Sequence, residues 1–271
     1  MDLFQAFILG IVQGATEYIP VSSSAHLVLV PWLLGWPDAP FAFEVLVQWG
    51  TLVGVFIFFW KDIWMISKAV LLGLIRGKPF ATPEAKLGWL VIISTIPAVV
   101  IGWLFKDFFE SAFAVPVFVG GLLILTALLL IIAERYGSRQ RELTGLGWFD
   151  AMLIGVWQAA AILPGISRSG ATISGAVLKG FNRTAAARFS FLMSIPVLLG
   201  AGLVALNDLL AAGTLTSELP AISVGFVAAA ISGYACIRWL LDYLQRHSLN
   251  VFAGYCIAAS LLTIVVAIVR G

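Results

Sequence analysis

A polar, ionisable run interrupts a sequence that otherwise reads as lipid-soluble: Gln13-Gly-Ala-Thr-Glu17-Tyr-Ile-Pro20-Val-Ser22-Ser23-Ser24-Ala-His26. A second run answers it, Leu163-Pro164-Gly165-Ile-Ser167-Arg168-Ser169-Gly170-Ala-Thr172. The surrounding matrix makes these runs restrictive. It is 61% hydrophobic and only 11% charged, against roughly 25% charged in ordinary globular domains, so the chain reads as an integral membrane protein. Non-helical backbone at membrane depth is tolerated only where it is buried in protein or lines a wet cavity. Proline breaks a helix and biases the residue before it away from helix, and each run carries one. A charged side chain in the bilayer costs about 2.5–3.5 kcal/mol on insertion scales, which marks Glu17 and Arg168 as functional. The two runs therefore predict one shared polar cavity.

Residues 4–34 are apolar apart from the first break. The half before Pro20 is about 22 Å long as a helix, and the half after it is shorter. Neither crosses a hydrocarbon core of roughly 30 Å. Longer apolar segments follow at 41–60, 87–105, 115–133, 189–206, 220–239 and 250–269, each of spanning length. Residues 61–86 and 134–148 read as polar loops, and 149–180 is apolar but broken at Pro164-Gly165. With no basic leader and no small-residue cleavage pattern at the start, and with Glu17 so near it, the chain is read as mature from residue 1.

Thirteen of the sixteen Lys and Arg lie at 61–86, 134–148, 179–188 and 238–246. The alternate loops hold Lys106 and Arg270 together with Asp38, Asp107, Glu110, Asp208 and Glu218. The positive-inside rule then puts 61–86 on the cytoplasmic side. Basic loops both before and after 149–178 make that segment a re-entrant hairpin. Phe4-Gln-Ala-Phe-Ile-Leu-Gly10-Ile-Val-Gln13 also aligns on Phe149-Asp-Ala-Met-Leu-Ile-Gly155-Val-Trp-Gln158, with Pro20 matching Pro164 after a one-residue slip. Each half is a hairpin plus three spans, and an odd number of spans inverts the second half. The expected fold is an all-α polytopic membrane protein: six transmembrane helices plus two re-entrant helical hairpins in an inverted-topology repeat. It forms one membrane domain with repeats at about 1–135 and 147–271.

The chemistry of the runs follows from their residue types. Hydroxyl residues after each break can cap the returning half-helix, and a helix N-terminus binds anions, phosphate above all. Arg168 adds a planar fork suited to phosphate oxygens; its plainer role is as partner to Glu17 or to backbone carbonyls. Gln13 and Glu17 share a helix face. Ser23 and His26, three apart, would set hydroxyl and imidazole side by side, the arrangement for nucleophilic attack. Glu17 is a metal ligand or a base. Glu44, at the start of a span, reads as interfacial, with reach into the pocket the alternative for Glu44 and Gln48. The remaining features carry less. Cys236 and Cys256 read as small buried hydrophobes, six tryptophans at span ends as an interfacial belt, and His247 as a loop residue. There is no Walker loop, dinucleotide fingerprint or zinc spacing.

The paired motifs, Gln13-x-x-x-Glu17-x-x-Pro20-x-Ser22-Ser23-x-x-His26 and Pro164-Gly-x-Ser167-Arg168-Ser169-x-x-Thr172, resemble the undecaprenyl-diphosphate phosphatases of the bacitracin-resistance type, over nearly the whole chain. The resemblance implies removal of the terminal phosphate of undecaprenyl diphosphate in the bacterial plasma (inner) membrane, to recycle the cell-wall lipid carrier. Glu17, Ser23, His26 and Arg168 are then expected to be catalytic, with Gln13, Ser22, Ser24, Ser167, Ser169 and Thr172 binding substrate. A divalent cation, Mg²⁺ or Ca²⁺, is expected near Glu17 and Gln13. The family's first motif position is Glu or Gln, and the neutral amide of Gln13 ligates without adding charge. Expected partners are undecaprenyl diphosphate and other isoprenyl diphosphates and the lipid bilayer, with no nucleic acid and with room for a homodimer. Ser23 attacking phosphorus with His26 managing its proton, and direct attack by water, both remain open at this stage. The alternative function is a transporter or flippase of a phosphorylated lipid, since inverted repeats are also transporter architecture. The type 2 phosphatidic acid phosphatase pattern fails, because it needs a second histidine in an Arg-x-x-x-x-x-His-x-x-x-Asp run, and His247 follows Arg246 directly and precedes Asn250.

Overall fold

The computed structural model describes residues 1–105, 108, 109 and 115–270. Lys106, Asp107 and Glu110, counted above among the outer charges, lie outside the described residues. The architecture is all-helical: α1 (Leu3–Glu17), α2 (Ser23–Leu34), α3 (Phe41–Phe58), α4 (Trp60–Ile75), α5 (Pro83–Leu104), α6 (Pro116–Tyr136), α7 (Trp148–Ala160), α8 (Arg168–Leu178), α9 (Arg183–Ala212), α10 (Leu215–Leu244) and α11 (Asn250–Arg270). Among the described residues the only extended pairing is an isolated bridge between Arg141 and Phe181. Six helices, α3, α5, α6, α9, α10 and α11, are long and apolar enough to cross a bilayer, and the chain is a multi-pass membrane protein. Each corresponds to one of the six spans read from the sequence.

Local sequence explains the ends. Asp2 caps α1 in a capping box with Gln5, and Thr82 and Asn182 cap α5 and α9. Gly35 and Gly213 close α2 and α9 in the left-handed conformation, where a Cβ would be strained. Two readings change. Residues 61–86 are not a loop throughout, since helix α4 runs from Trp60 to Ile75. The fourth and fifth spans extend into thirty-residue helices that carry Pro196 and Pro220 inside them.

Helices approach closely where glycine removes the side chain, as expected when lipid supplies no hydrophobic drive between them. Gly10 and Gly14 of α1 lie on Gly225, Ala229 and Gly233 of α10, and Gly50 and Gly54 of α3 lie on Phe226 and Tyr234 of the same helix. Gly155 of α7 rests on Ser94 of α5, and Gly120 of α6 on Thr263 of α11. At the basic end, Glu134 of α6 accepts hydrogen bonds from Arg139, Arg183 and the Leu249 backbone N–H. Nearby Asp150 pairs with Arg141 at 2.7 Å and Lys179 at 3.7 Å. Burial pushes the Asp150 carboxyl up, but the hydrogen bonds from Arg141 and Gly147 and the flanking positive charges hold it below the usual carboxylate range. These ties anchor α7 and α8 and so help to hold the segment between them.

Candidate active site

The first polar run becomes the end of α1, a turn and the start of α2. Pro20 has no amide hydrogen to continue the ladder, and α1 stops with Glu17 as its last residue, one turn beyond Gln13. Ser22 sits at φ 70°, ψ 93°, an unusual conformation for a side-chain-bearing residue, and its hydroxyl caps the Ala25 N–H. Strain of this kind persists only where its surroundings fix it. That turn brings Ser23, the first residue of α2, back over the end of α1.

The second run has the same construction. Gly165 adopts φ 100° and packs against Val119 and Leu122 of α6, where a Cβ would not fit. Ser167 caps the Gly170 N–H at 3.0 Å, which starts α8 at Arg168. In both turns the capping serine lies 3.1 Å from the serine two residues on, Ser22 from Ser24 and Ser167 from Ser169. Thr126 of α6 stitches the second turn, donating to the Gly165 carbonyl at 3.1 Å and accepting from the Ser167 N–H at 2.9 Å. The turns are also laced to each other: the Gly165 N–H donates to Ser24 Oγ at 3.5 Å, and Ser169 Oγ donates to the Ile19 carbonyl at 3.3 Å.

Glu17 is the centre of the site. Its Oε1 accepts from Arg168 Nη2 at 2.6 Å. Its Oε2 accepts from Gln13 Nε2 and from Ser23 Oγ, each at 2.6 Å. Four residues picked from the sequence, two of them 151 positions apart, are thus joined through one carboxylate that is 6% exposed. The ion pair makes Arg168 a partner of Glu17, the plainer of its two roles. It does not exhaust the guanidinium: Arg168 Nη1 is buried with no hydrogen-bond partner, and so is Gln13 Oε1. One is a spare donor for an anion and the other a spare acceptor for a cation.

Other candidates fall differently. His26 is not bonded to Ser23. Its Nδ1 meets the Ser22 carbonyl at 2.7 Å, and its Nε2 meets the Tyr255 hydroxyl of α11 at 2.6 Å. Thr172 is buried and turned away from Glu17, bonding the Arg168 carbonyl at 2.8 Å and Ser190 Oγ at 2.6 Å. Glu44 is buried in the first turn of α3, and no described hydrogen bond ties it or the Gln48 side chain to this group. Among the described residues no three His, Cys, Asp or Glu side chains cluster as a metal cage. The reading from sequence missed Thr126, Ser190 and Tyr255. Their only signal is being lone hydroxyls inside apolar spans, too common a feature to single out.

Comparison with known proteins finds relatives along nearly the whole chain. A family model described as bacitracin resistance protein BacA matches residues 6–262. Proteins named undecaprenyl-diphosphatase are similar along nearly the whole length. The one from Thermomicrobium roseum is 43% identical, with 98% of each chain covered. The one from Chlorobaculum parvum is 46% identical, over 94% of this chain and 93% of its own. The one from Desulforudis audaxviator is 41% identical over the full length of both.

Proposed function

Because the chain belongs to the bacitracin resistance protein BacA family, we infer that it is an undecaprenyl-diphosphatase, hydrolysing the terminal phosphate of undecaprenyl diphosphate to leave undecaprenyl phosphate. The observation that carries this reading is the Glu17 carboxylate shared by the Ser23 hydroxyl and the Arg168 guanidinium. A hydroxyl able to act as nucleophile and a fork able to bind phosphate thus meet at one carboxylate able to take a proton.

In the proposed reaction Ser23 Oγ attacks the terminal phosphorus and its proton passes along the existing hydrogen bond to Glu17 Oε2. The bond from phosphorus to the bridging oxygen breaks, and undecaprenyl phosphate leaves with the proton from Glu17 on that oxygen, which returns Glu17 to the carboxylate. Water then hydrolyses the phosphoserine, with Glu17 as the base. Arg168 Nη1, spare and buried, takes a non-bridging oxygen, and the N-terminal turns of α2 and α8 add their partial positive charge. Proton transfer passes to Glu17 in this geometry, while His26 holds the Ser22 carbonyl and with it the turn that aims Ser23. Gln13, Ser24, Ser167 and Ser169 complete the polar wall, and Thr172 supports it through the Arg168 carbonyl.

The donor set fits a hard divalent cation. Glu17 and the unpartnered Gln13 Oε1 supply oxygen only, and a Mg²⁺-type ion held by one or two protein oxygens draws its other ligands from substrate phosphates and water. Bound there, the cation would neutralise charge on the diphosphate.

We read α1–α2 and α7–α8 as re-entrant hairpins entering from opposite faces, within an inverted repeat that forms one membrane domain in the bacterial inner membrane. Support comes from length: α1 and α7 are about 22 and 20 Å long, short of a roughly 30 Å core. The mirrored serine-capped turns agree with it.

The test is phosphate release from purified protein given defined isoprenyl diphosphates. Wild type should turn over and lose activity with a chelator, and Arg168→Lys should lose about 10²–10³-fold. Lipid flipping without phosphate release would overturn the reading in favour of a carrier.

A further inference from the structure

Among the described residues of α11, Tyr255 reaches the catalytic turns through a short hydrogen bond. Its hydroxyl lies 2.6 Å from His26 Nε2, and its ring stacks on the imidazole at a 13° interplanar angle with centroids 5.6 Å apart. The next residue, Cys256, touches the Pro20 carbonyl at 3.8 Å. Tyr255 also stands about 12 Å along α11 from Thr263, which packs on Gly120 of α6. Tyr255 is 47% exposed, so its ring sits at the edge of the bundle while its hydroxyl reaches the turns.

The hydrogens can be assigned by elimination. The Ser22 carbonyl only accepts, so in the neutral ring Nδ1 carries the hydrogen and donates to it. Nε2 then holds the lone pair, and Tyr255 must be the donor. A free neutral imidazole of histidine favours the hydrogen on Nε2, the opposite arrangement. With the hydrogen there, Nδ1 would point a lone pair at the Ser22 carbonyl 2.7 Å away, and the contact would become repulsive. The Ser22 carbonyl thus selects the tautomer, and the Tyr255 hydroxyl supplies the donor that the Nε2 lone pair needs.

We propose that Tyr255 is a positioning residue for the hydrolysis: its hydroxyl donates to Nε2 of the Nδ1–H ring and holds that ring in place, and the held ring fixes the Ser22 carbonyl and the strained turn that aims Ser23 at Glu17. The order of action is Tyr255 hydroxyl, His26 ring, Ser22 carbonyl, Ser23 hydroxyl. This rests on the phosphatase reading for its consequence in turnover, but not for its structural claim.

Tyr255→Phe tests it, because phenylalanine keeps the stacked ring and deletes only the donor. The chain has two histidines, so ¹⁵N-histidine labelling of the full protein in nanodiscs gives two sets of ring resonances, and His247→Gln assigns His26. In wild type the His26 nitrogens should show the pure Nδ1–H pattern. In Tyr255→Phe the Nε2 resonance should move to that of a lone pair without a hydrogen bond, with kcat down about tenfold or more and KM within about twofold. A residue that only packed would leave both readouts unchanged. A wild-type His26 in the Nε2–H or doubly protonated form overturns the proposal, as does a Tyr255→Phe protein with wild-type kcat. Absence of phosphate release from wild type would instead overturn the phosphatase reading, and the Nε2 resonance would still decide whether Tyr255 holds the ring.

Discussion

Glu17 is the residue on which the site turns, and three hydrogen bonds of 2.6 Å converge on it from Gln13, Ser23 and Arg168. Breaking a buried pair by removing one partner leaves a charge without compensation, which costs more than the pair itself contributes. Glu17→Gln should therefore abolish phosphate release at every Mg²⁺ concentration, by removing both the base and the counter-charge of Arg168. Full recovery at high Mg²⁺ would show that Glu17 only tunes cation affinity. Gln13→Glu should keep activity and lower the Mg²⁺ needed for half-maximal rate, since it adds charge beside an acceptor atom that is already unpartnered. A dead Gln13→Glu enzyme would mean that the amide donor to Glu17 is indispensable. Glu17, Arg168, Ser23 and Gln13 were legible in the sequence because polar groups in a 61% hydrophobic chain stand out by cost alone. The partner of Ser23 was not. Helical spacing points to His26, three residues on, whereas the observed bond runs six residues back to Glu17. A backbone angle sets that contact: φ 70° at Ser22 folds α2 over the end of α1, and spacing rules do not register it.

At the scale of elements, the site depends on how closely α1 can lie on α10. A Cβ at Gly14 would meet Ser232, Ala229 and Gly233, with backbone atoms among them, whereas one at Gly121 meets nothing within 4 Å. Gly14→Val should destabilise the detergent-solubilised protein by about 1–3 kcal/mol, the usual range for overpacking, and should lower turnover by displacing Glu17 three residues on. Gly121→Ala should be neutral in both. Thermal melting and phosphate release measured together check this, and an unaffected Gly14→Val would contradict the packing described. The six long helices were legible from apolar run length, and their boundaries held to within a few residues at most ends. Helix α4 was not, because Lys61, Lys68 and Arg76 made 61–86 look like loop. Its apolar and basic residues in fact share one helix, with Trp60, Trp64 and Leu71 left exposed. Charge density located that segment at the basic end of the bundle but said nothing about its backbone.

For the whole molecule, the proposed inverted repeat is a statement about sidedness. Cysteine introduced at Asp38 in a background without Cys236 and Cys256 should be labelled from outside, and at Arg76 or Gln140 only from inside. Outside labelling at 140 would remove the re-entrant assignment of α7–α8. The proposed repeat rests on the match of residues 4–13 to 149–158, and that match does not show the contact between the two turns, since no pattern in sequence reports which loops meet. That contact joins Glu17 to Arg168, and the central claim is that it arms Ser23. Rapid acid quenching of wild type with undecaprenyl diphosphate labelled on its terminal phosphate tests this most directly. The label should be trapped as phosphoserine at residue 23, and Ser23→Ala should show no trapped label and a turnover lower by roughly 10³-fold or more. A Ser23→Ala enzyme that releases phosphate at near wild-type rate would contradict the account and make water the attacking group.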